Sequence, residues 1–424
     1  MQYRIRKYER IEAKTQGQRA FFGEATDRLV VRKIQLNILD LVMISRGLSA
    51  LLADWQVIRE AVYDEYSPVS LSQQAVQVAP DQYDYVLKEG RQYWESAEGH
   101  RMTVDYDCEE ERSRSYSEAE FAVPRERYDW LLELLEKLRL WIDANHFMRR
   151  QAFGADGEFL KLDDAANWNN VLIPDDVRSR LEAECIQLFK HADLFRANGV
   201  PLRRGIILYG PPGTGKTMIG RLLAKMCGVT FILITPGMLS NPAVLRQAFN
   251  WGRRFGPAIL FFEDFDLVAG DGHQSGGGGL LGEFLSCLDG VDMSEGIVAI
   301  ATTNDLNAIE PALRERPNRF DCILQIPPLS QNHRIAYLAQ WLERHPNSEV
   351  NIERVAKKAN NYTGAQMQEL CRQGVMAAVE EHLSNAENNH AKALPLTDAH
   401  FDQAFKRSPE KQFRPMGFHA DGDG

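Results

Sequence analysis

The sequence predicts an α/β protein built on a parallel five-stranded sheet with helices on both faces. Five short apolar runs, each about as long as a buried strand, alternate with helical patterns, at residues 205–209, 230–235, 258–262, 297–303 and 322–326. Continuous apolar strands separated by helices are typical of a parallel sheet that is covered on both sides. After Pro327 and Pro328 no strand pattern follows, and a C-terminal helical subdomain is predicted from patterns at 334–345, 352–360, 365–382 and 397–407.

The first 160 residues predict a separate N-terminal α+β domain. Residues 27–63 are densely apolar and are predicted to be helical. Residues 100–108 and 113–123 are predicted to be strands on either side of an acidic turn at 109–111. We interpret the three glutamates of this turn as a solvated loop rather than a metal site. Residues 153–164, which contain two glycines and several acidic residues, are predicted to be a turn-rich linker.

A strongly amphipathic helix is predicted to follow Pro124. Its apolar face consists of Leu131, Leu134, Leu135, Leu138 and Trp141. The stripe extends over fewer than three heptads, which favours packing of the helix on its own domain. A coiled coil or a partner-binding surface is the alternative.

Composition argues against several classes of protein. The formal net charge of −10 over 424 residues disfavours a broadly basic surface for nucleic acid. The six cysteines include no C-x-x-C pair, so neither a zinc site nor a disulfide framework is predicted. Reduced thiols fit a cytoplasmic protein. No secretory signal is predicted, and the most apolar early run, 34–52, contains Asp40 and Arg46, so we expect no membrane anchor.

A glycine-rich stretch between the first predicted sheet strand and a helix fits the phosphate-binding pattern G-x-x-x-x-G-K-[ST]. It consists of Gly210, Pro211, Pro212, Gly213, Thr214, Gly215, Lys216 and Thr217. Glycines let backbone N–H groups turn toward phosphates, and the helix N-terminus adds partial positive charge. We expect Lys216 to reach the β- and γ-phosphates and the Thr217 hydroxyl to bind Mg²⁺. The complete pattern favours a nucleoside triphosphate site over a chance glycine-rich turn.

Two adjacent carboxylates, Glu263 and Asp264, end the predicted strand at 258–262. Strand ends in such sheets face the ligand crevice. One carboxylate can hold Mg²⁺ or its waters while the other polarises the attacking water. The alternative is a pair of solvated acids, but their position after a phosphate loop favours triphosphate hydrolysis.

From about residue 166 to 407 the chain resembles an AAA-type ATPase module. The resemblance rests on motifs in the family's order: GPPGTGKT (210–217), ILFFEDFD (259–266), LDG (288–290), ATTN (301–304), PALRERPNRFD (311–321) and TGAQM (363–367). It implies ATP and Mg²⁺ as cofactors, a large ATPase subdomain at 166–328 and a helical lid subdomain at 329–408. The polar, glycine-rich end at 409–424 is predicted to be a mobile tail.

The resemblance also implies roles for single residues. Asn304 matches sensor 1, which helps to place the attacking water. Gly364 and Ala365 match the lid motif near the adenine and ribose. Arg316 and Arg319 match arginine fingers that reach the γ-phosphate of a neighbouring subunit, although surface salt bridges are the alternative from the residues alone. Fingers acting between subunits imply a ring of identical chains, with a homo-hexamer as the default.

The chain departs from the family's pattern at two places. The usual order of acids is Asp-Glu, whereas Glu263 precedes Asp264 here, an order that also occurs in the Bcs-type mitochondrial chaperones. By position Glu263 takes the Mg²⁺ role and Asp264 the catalytic one. The segment 234–242, where threading rings carry an aromatic pore loop, is short and has no aromatic residue. We expect Met238 and Leu239 to be packed turn residues rather than a grip on substrate.

We therefore expect an ATPase that works as a ring to remodel, assemble or disassemble a protein partner. Residues 1–160 are expected to recognise this partner or an adaptor, and the glycine run 276–279 matches a second, flexible channel loop. Two alternatives stay open. The acidic net charge disfavours an AAA ATPase that acts on DNA or a nucleoprotein complex. The short side chain of Asp264 is compatible with a nucleotide-gated scaffold that has little turnover.

Overall fold

The computed structural model describes most of the chain. The described residues are 9–10, 16–61, 72–111, 114–162, 167–266, 282–284, 286–287, 296–309, 320, 322–385 and 393–407. The predicted tail at 409–424 lies outside them. Two compact units divide the chain: the first contains Met1–Leu162, Gly228–Leu260 and Ser286–Ile297, and the second contains Asp163–Cys227, Phe261–Leu285 and Val298–Gly424. Within the described part, no helix is long and apolar enough to cross a membrane.

The N-terminal part of the first unit is built on a seven-stranded sheet. Its strands are β1 (Glu9–Arg10), β2 (Leu29–Leu36), β3 (Trp55–Ala61), β4 (Ser72–Ala79), β5 (Gln82–Ser96), β6 (Arg101–Glu111) and β7 (Arg114–Pro124), with helix α1 (Gln16–Phe22) after β1. The strand order is β1-β2-β7-β6-β5-β3, and β4 also pairs with β5. All of these pairings are antiparallel.

Helices α2 (Ile38–Leu51) and α3 (Tyr128–Asn145) share one apolar core with this sheet. The Asn37 side chain caps α2 by accepting a hydrogen bond from the N–H of Asp40 at 2.8 Å. Burying each apolar side chain of α3 contributes roughly 1.5–3 kcal/mol relative to leaving it exposed. The prediction that this helix packs on its own domain is confirmed by its buried residues, Leu131, Leu134, Leu138 and Ile142.

The prediction that residues 27–63 are helical is wrong at β2 and β3, and residues 62–63 lie outside the described residues. Strand β2 pairs with β7 along its whole length, from Leu29 opposite Pro124 to Leu36 opposite Ser117. The first three residues of β2 are all buried. Because both faces of β2 are covered at that end, the sequence lacks the alternation that marks a half-exposed strand.

Strands β6 and β7 confirm the two strands that the sequence predicted around residues 109–111. The three glutamates, however, lie within β6 rather than in a turn, because the pairing continues to Glu111 opposite Arg114. The acidic residues therefore extend the strand that they were predicted to end.

A buried ionic cluster connects α2, α3 and helix α8 (Pro242–Phe255) within the first unit. The Asp40 side chain has no exposed area, and its Oδ1 lies 2.6 Å from Nη2 of Arg254 and 3.4 Å from Nε2 of His146. Arg254 also donates from Nε to Oδ1 of Asp143 at 2.9 Å. The N–H of Met148 donates to Nδ1 of His146 at 3.2 Å, which places the ring proton on Nε2, facing Asp40.

A second sheet has six strands in the order β13-β9-β12-β11-β10-β8. Five of them confirm the predicted strands: β9 (Arg204–Tyr209), β10 (Thr230–Ile234), β11 (Ala258–Phe262), β12 (Ile297–Thr303) and β13 (Cys322–Gln325). Both β12 and β13 pair with β9 in parallel. The sixth strand, β8 (Ala152–Gly154), pairs in parallel with β10, so the prediction of a linker from residue 153 is wrong at its start. A three-residue strand is too short to produce a sequence pattern.

Helices accompany this sheet as predicted. They are α4 (Asp175–Leu181), which continues as a π-helix over Glu182–Gln187, then α5 (Leu188–Lys190), α6 (Ala192–Ala197), α7 (Lys216–Cys227) and α8. After β13, the described residues contain the four predicted helices: α9 (Gln331–Leu342), α10 (Ile352–Lys358), α11 (Gly364–Asn385) and α12 (Asp398–Arg407). These four helices share their own apolar core. Arg334 is buried in this core, where its Nε donates to the carbonyl oxygen of Ala356 at 2.8 Å.

Candidate active site

The predicted phosphate loop lies between β9 and α7 in the second unit. Gly210, Gly213 and Gly215 have φ values of 156°, 79° and 95°, which residues with a side chain rarely adopt. A Cβ on Gly210 would also lie only 2.1 Å from the carbonyl oxygen of Ile326. The loop leads directly into the N-terminus of α7, whose free N–H groups and dipole favour an anion.

The Lys216 side chain lies inside this loop, and only 7% of the residue is exposed. Its ammonium donates to two carbonyl oxygens of the loop, at 2.7 and 3.2 Å, and to Oδ1 of Asn304 at 2.9 Å. Burial lowers the pKa of Lys216, and the negative charges of Asp264 and Asp266 offset part of this effect. A partly desolvated cation interacts more strongly with phosphate than a cation in bulk water does.

The two threonines of the loop have different surroundings. Thr214 is buried, and its hydroxyl donates to the carbonyl oxygen of Pro211 at 3.0 Å, so it stabilises the loop itself. Thr217, the second residue of α7, is exposed. Its exposed position leaves the hydroxyl accessible to a cation.

Glu263 and Asp264 follow β11 directly, as predicted. Both are half-buried, and Asp264 has a positive φ of 42°. Asp adopts this left-handed conformation more readily than most residues do. Its Oδ1 lies 3.5 Å from Nδ2 of Asn304, so the Asn304 amide connects a carboxylate to the ammonium of Lys216. The structure thus brings together Lys216, Asp264 and Asn304, which lie far apart in the sequence.

Sequence reasoning missed two residues at this site. Thr302, which is 2% exposed, accepts a hydrogen bond at its Oγ1 from the N–H of Asp264 at 3.0 Å. Asp266 places a third carboxylate in the same segment, near enough to act on the pKa of Lys216. The signals were present, because Thr302 belongs to the ATTN motif and Asp266 to the ILFFEDFD motif.

The helical subdomain contacts the phosphate loop within the second unit. The N–H of Ala365 donates to the carbonyl oxygen of Gly213 at 3.1 Å. A Cβ on Gly213 would lie 2.6 Å from Cβ of Ala365, so the two backbones approach closely. Gly364, the first residue of α11, lies beside the same loop, since a Cβ there would be 3.5 Å from the Gly213 oxygen.

Several predicted features lie outside the described residues. They are Arg316 and Arg319, the glycine run 276–279 and the LDG motif at 288–290. The short segment at 234–242 is described, and it forms a 3-10 turn over Met238–Ser240. Leu239 in this turn is 3% exposed and Met238 is half-buried. Both are packed turn residues, as predicted.

The described residues fit ATP with Mg²⁺. The loop offers backbone N–H groups and a lysine to phosphate, and the Thr217 hydroxyl and the two carboxylates are hard oxygen donors, the kind that Mg²⁺ prefers. Across the described part of the chain, no group of three or more His, Cys, Asp or Glu residues forms a complete metal cage. Mg²⁺ is usually bound through one or two protein oxygens together with the phosphates of a substrate.

Comparison with known proteins agrees with this geometry. The family model described as "ATPase family associated with various cellular activities (AAA)" matches residues 206–328, and the model described as "AAA+ lid domain" matches residues 349–393. The Cell division cycle protein 48 homolog of Archaeoglobus fulgidus is 33% identical over 236 residues, which are 51% of this chain and 32% of that protein.

Two further relatives match half of the chain or more. Protein SAV of Sulfolobus acidocaldarius is 33% identical over 224 residues, 50% of this chain and 29% of that protein. ATPase family gene 2 protein homolog A of Homo sapiens is 27% identical over 268 residues, 60% of this chain and 30% of that protein. The chain therefore spans about a third of the length of each of these relatives. Residues 206–328 thus match an AAA ATPase domain and residues 349–393 an AAA+ lid domain, and about half of the chain is similar to the Cell division cycle protein 48 homolog.

Proposed function

We propose that this chain binds ATP with Mg²⁺ and hydrolyses it. The observation that carries the proposal is the continuous contact from the Lys216 ammonium through the Asn304 amide to the Asp264 carboxylate. In this proposal Lys216 binds the β- and γ-phosphates. Asn304, whose amide can donate and accept, orients the attacking water between the phosphate and the carboxylate.

The remaining residues of the site bind the metal and the nucleotide. Thr217 and Glu263 hold Mg²⁺, which neutralises charge on the phosphate oxygens when it is bound. The backbone of the loop at 210–217 binds the phosphates. Gly364 and Ala365 lie beside the adenine and ribose, a role supported by the contact of the Ala365 N–H with the loop.

In the proposed step, the oxygen of a water molecule forms a bond to the γ-phosphorus. The bond from this phosphorus to the oxygen that bridges to the β-phosphate breaks, and its electron pair stays on ADP. The water proton passes to the Asp264 carboxylate and from there to solvent. ATP and water thus give ADP, phosphate and one proton.

We further propose that the active form is a ring of identical chains, a homo-hexamer by default. Arg316 and Arg319 would then complete the site of the neighbouring subunit, where planar, permanently charged guanidinium groups suit the charge on the transferred phosphoryl group. Such fingers contribute on the order of 10³–10⁵ in rate in comparable enzymes. A single chain would have an incomplete site.

A mixing experiment tests both the site and the ring. Chains with Asp264→Asn lack the proposed catalytic carboxylate, and chains with Arg316→Ala and Arg319→Ala lack the fingers, so each preparation alone should release little phosphate. Mixed in equal amounts, they should recover activity, because some interfaces combine an intact carboxylate with intact fingers. The measurement is steady-state phosphate release at several protein concentrations.

The matched control is Arg407→Ala, which removes an exposed arginine that pairs with Glu380 inside the lid subdomain. It should hydrolyse ATP like the unmodified chain. Finger-less chains that are fully active as monomers would rule out the ring. An Asp264→Asn chain with normal turnover would rule out the assignment of the catalytic carboxylate.

We propose that the energy of hydrolysis remodels, assembles or disassembles a protein partner in the cytoplasm. The β-rich domain in residues 1–160 is the proposed recognition element for a substrate or adaptor. Its exposed aromatic residues support this role, since Tyr83 and Tyr85 on β5 are 62% and 67% exposed and exposed aromatic residues are enriched at protein interfaces. We also propose a Bcs-like variant of the module, supported by the order of Glu263 and Asp264 and by the packed turn at Met238–Ser240.

Affinity capture with the Asp264→Asn chain, with and without ATP, tests the protein partner. Proteins retained only with ATP would support remodelling. Strong stimulation of phosphate release by DNA, lost at high salt, would instead favour action on nucleic acid. ATP binding without measurable phosphate release would favour the nucleotide-gated scaffold.

A further inference from the structure

Thr302 lies beside the proposed catalytic carboxylate but has no part in the proposed contacts with nucleotide. It is next to last in β12 and is 2% exposed. Its Oγ1 accepts a hydrogen bond from the N–H of Asp264 at 3.0 Å and donates to the carbonyl oxygen of Phe262 at 3.4 Å. Its own carbonyl oxygen accepts a hydrogen bond from the N–H of Phe265 at 2.8 Å. Thr302 therefore contacts the last residue of β11, Phe262, and two residues that follow the strand, Asp264 and Phe265.

The hydroxyl is needed because the backbone changes direction at Asp264. With a φ of 42°, Asp264 does not continue the extended conformation of β11. Its N–H consequently bonds to a side chain rather than to a backbone carbonyl group, and a buried N–H without an acceptor is strongly disfavoured. A hydroxyl can accept from one backbone group and donate to another at the same time, which no apolar side chain of similar size can do.

We infer that Thr302 is a positioning residue, whose hydroxyl holds Asp264 in its left-handed conformation and so directs the carboxylate toward Asn304. The inference rests on the proposed role of Asp264 in hydrolysis. It concerns only the placement of that carboxylate, because the described contacts of Thr302 include no residue of the phosphate loop.

The test is Thr302→Val in the full-length chain, which keeps the β-branched shape and removes the hydroxyl. We expect kcat to fall roughly tenfold to a hundredfold, the usual effect of a displacement of about 1 Å at a reacting group. ATP affinity, measured by equilibrium binding, should stay within about twofold, since the phosphate loop is untouched. Thr302→Ser, which retains the hydroxyl, should restore most of kcat.

Thr230→Val is the matched control for loss of a buried hydroxyl. The Thr230 hydroxyl also bridges two backbone groups, accepting from the N–H of Arg150 at 3.0 Å and donating to the carbonyl oxygen of Phe255 at 2.7 Å. Neither contact involves a residue of the site. This variant should lose stability but keep its kcat, whereas a general effect of removing a buried hydroxyl would lower kcat in both variants.

A double variant separates the inference from the proposed function. If Thr302 acts through Asp264, then Thr302→Val should not lower the single-turnover rate of Asp264→Asn any further. Normal turnover by Asp264→Asn would refute the proposed role of the carboxylate. A slow Asp264→Asn chain together with a fully active Thr302→Val chain would refute only the role of Thr302. If Thr302→Val does not fold, Thr302→Ala takes its place, and a folded Thr302→Ser chain with low kcat would overturn the inference by itself.

Discussion

Replacing Asp40 with alanine should destabilise the first unit more than any exposed ion pair could. Asp40 has no exposed side-chain area, and its carboxylate lies 2.6 Å from the Arg254 guanidinium and 3.4 Å from the His146 ring. Removing one partner of a buried ion pair typically costs about 3–5 kcal/mol, because the remaining charge stays buried without compensation. Asp40→Ala removes the partner of a guanidinium that is itself only 10% exposed.

The surroundings of Arg254 narrow the cost in unfolding free energy that we expect for Asp40→Ala. Arg254 keeps a second carboxylate, Asp143, at 2.9 Å, so we expect the lower end, about 3 kcal/mol. Asp143→Ala is the matched control, because it removes the other partner of the same guanidinium. The Asp143 side chain is 33% exposed, and pairs that are open to solvent contribute only about 0–1 kcal/mol.

Hydrogen exchange of the full-length chain, followed by mass spectrometry, measures the effect locally. Peptides that cover α2 and the end of α8 should lose protection in Asp40→Ala and change little in Asp143→Ala. Urea unfolding of both variants provides the free-energy difference. Equal costs for the two variants, or a cost below about 1 kcal/mol for Asp40→Ala, would refute the view that this cluster stabilises the first unit.

Two further predictions concern pH and packing. Burial lowers the pKa of His146 and Asp40 offsets only part of that effect, so the unfolded state binds more protons below the ordinary His pKa of about 6.5. The free energy of unfolding should therefore be at its full value above that pH and decrease as pH falls below it. His146→Gln should flatten this decrease when urea unfolding is measured at a series of pH values. An equally steep decrease in the variant would contradict this cause. Gly220→Ala should cost about 1–3 kcal/mol by overpacking, because its Cβ would lie 2.3 Å from the Phe261 ring. In thermal unfolding, Gly237→Ala is the control, since a Cβ there meets nothing within 4 Å; equal melting temperatures for the two variants would be the contrary result.

The parallel sheet was predictable because its strands are buried on both faces. Each of β9 to β12 contains an unbroken run of at least four apolar residues, and the flanking helices supply a different periodicity. The N-terminal sheet was not predictable to the same degree. Strand β2 is as apolar as a helix core at its start, and its pairing with β1 and β7 identifies it as a strand. Pairing between strands so far apart in the sequence depends on tertiary contacts.

The parts of the candidate site also differ in whether the sequence alone can predict them. The residues of the phosphate loop are consecutive, so their spacing reveals the site without any tertiary information. The buried cluster around Asp40 left no comparable signal, because its members lie in three separate helical regions and carry ordinary residue types. A hydrogen bond such as that from the Asp264 N–H to Thr302 is equally invisible, since it joins two motifs through backbone geometry.

The order of Glu263 and Asp264 has a physical basis in that backbone geometry. A residue at position 264 must adopt a positive φ, and Asp and Asn tolerate this conformation better than residues with longer side chains do. The loss of one methylene group shortens the reach of the carboxylate, but the left-handed turn also changes the direction in which the side chain leaves the backbone. The carboxylate still comes to 3.5 Å from the Asn304 amide, which in turn contacts Lys216 at 2.9 Å. Reach at this position is therefore determined by the conformation of the backbone as much as by the length of the side chain.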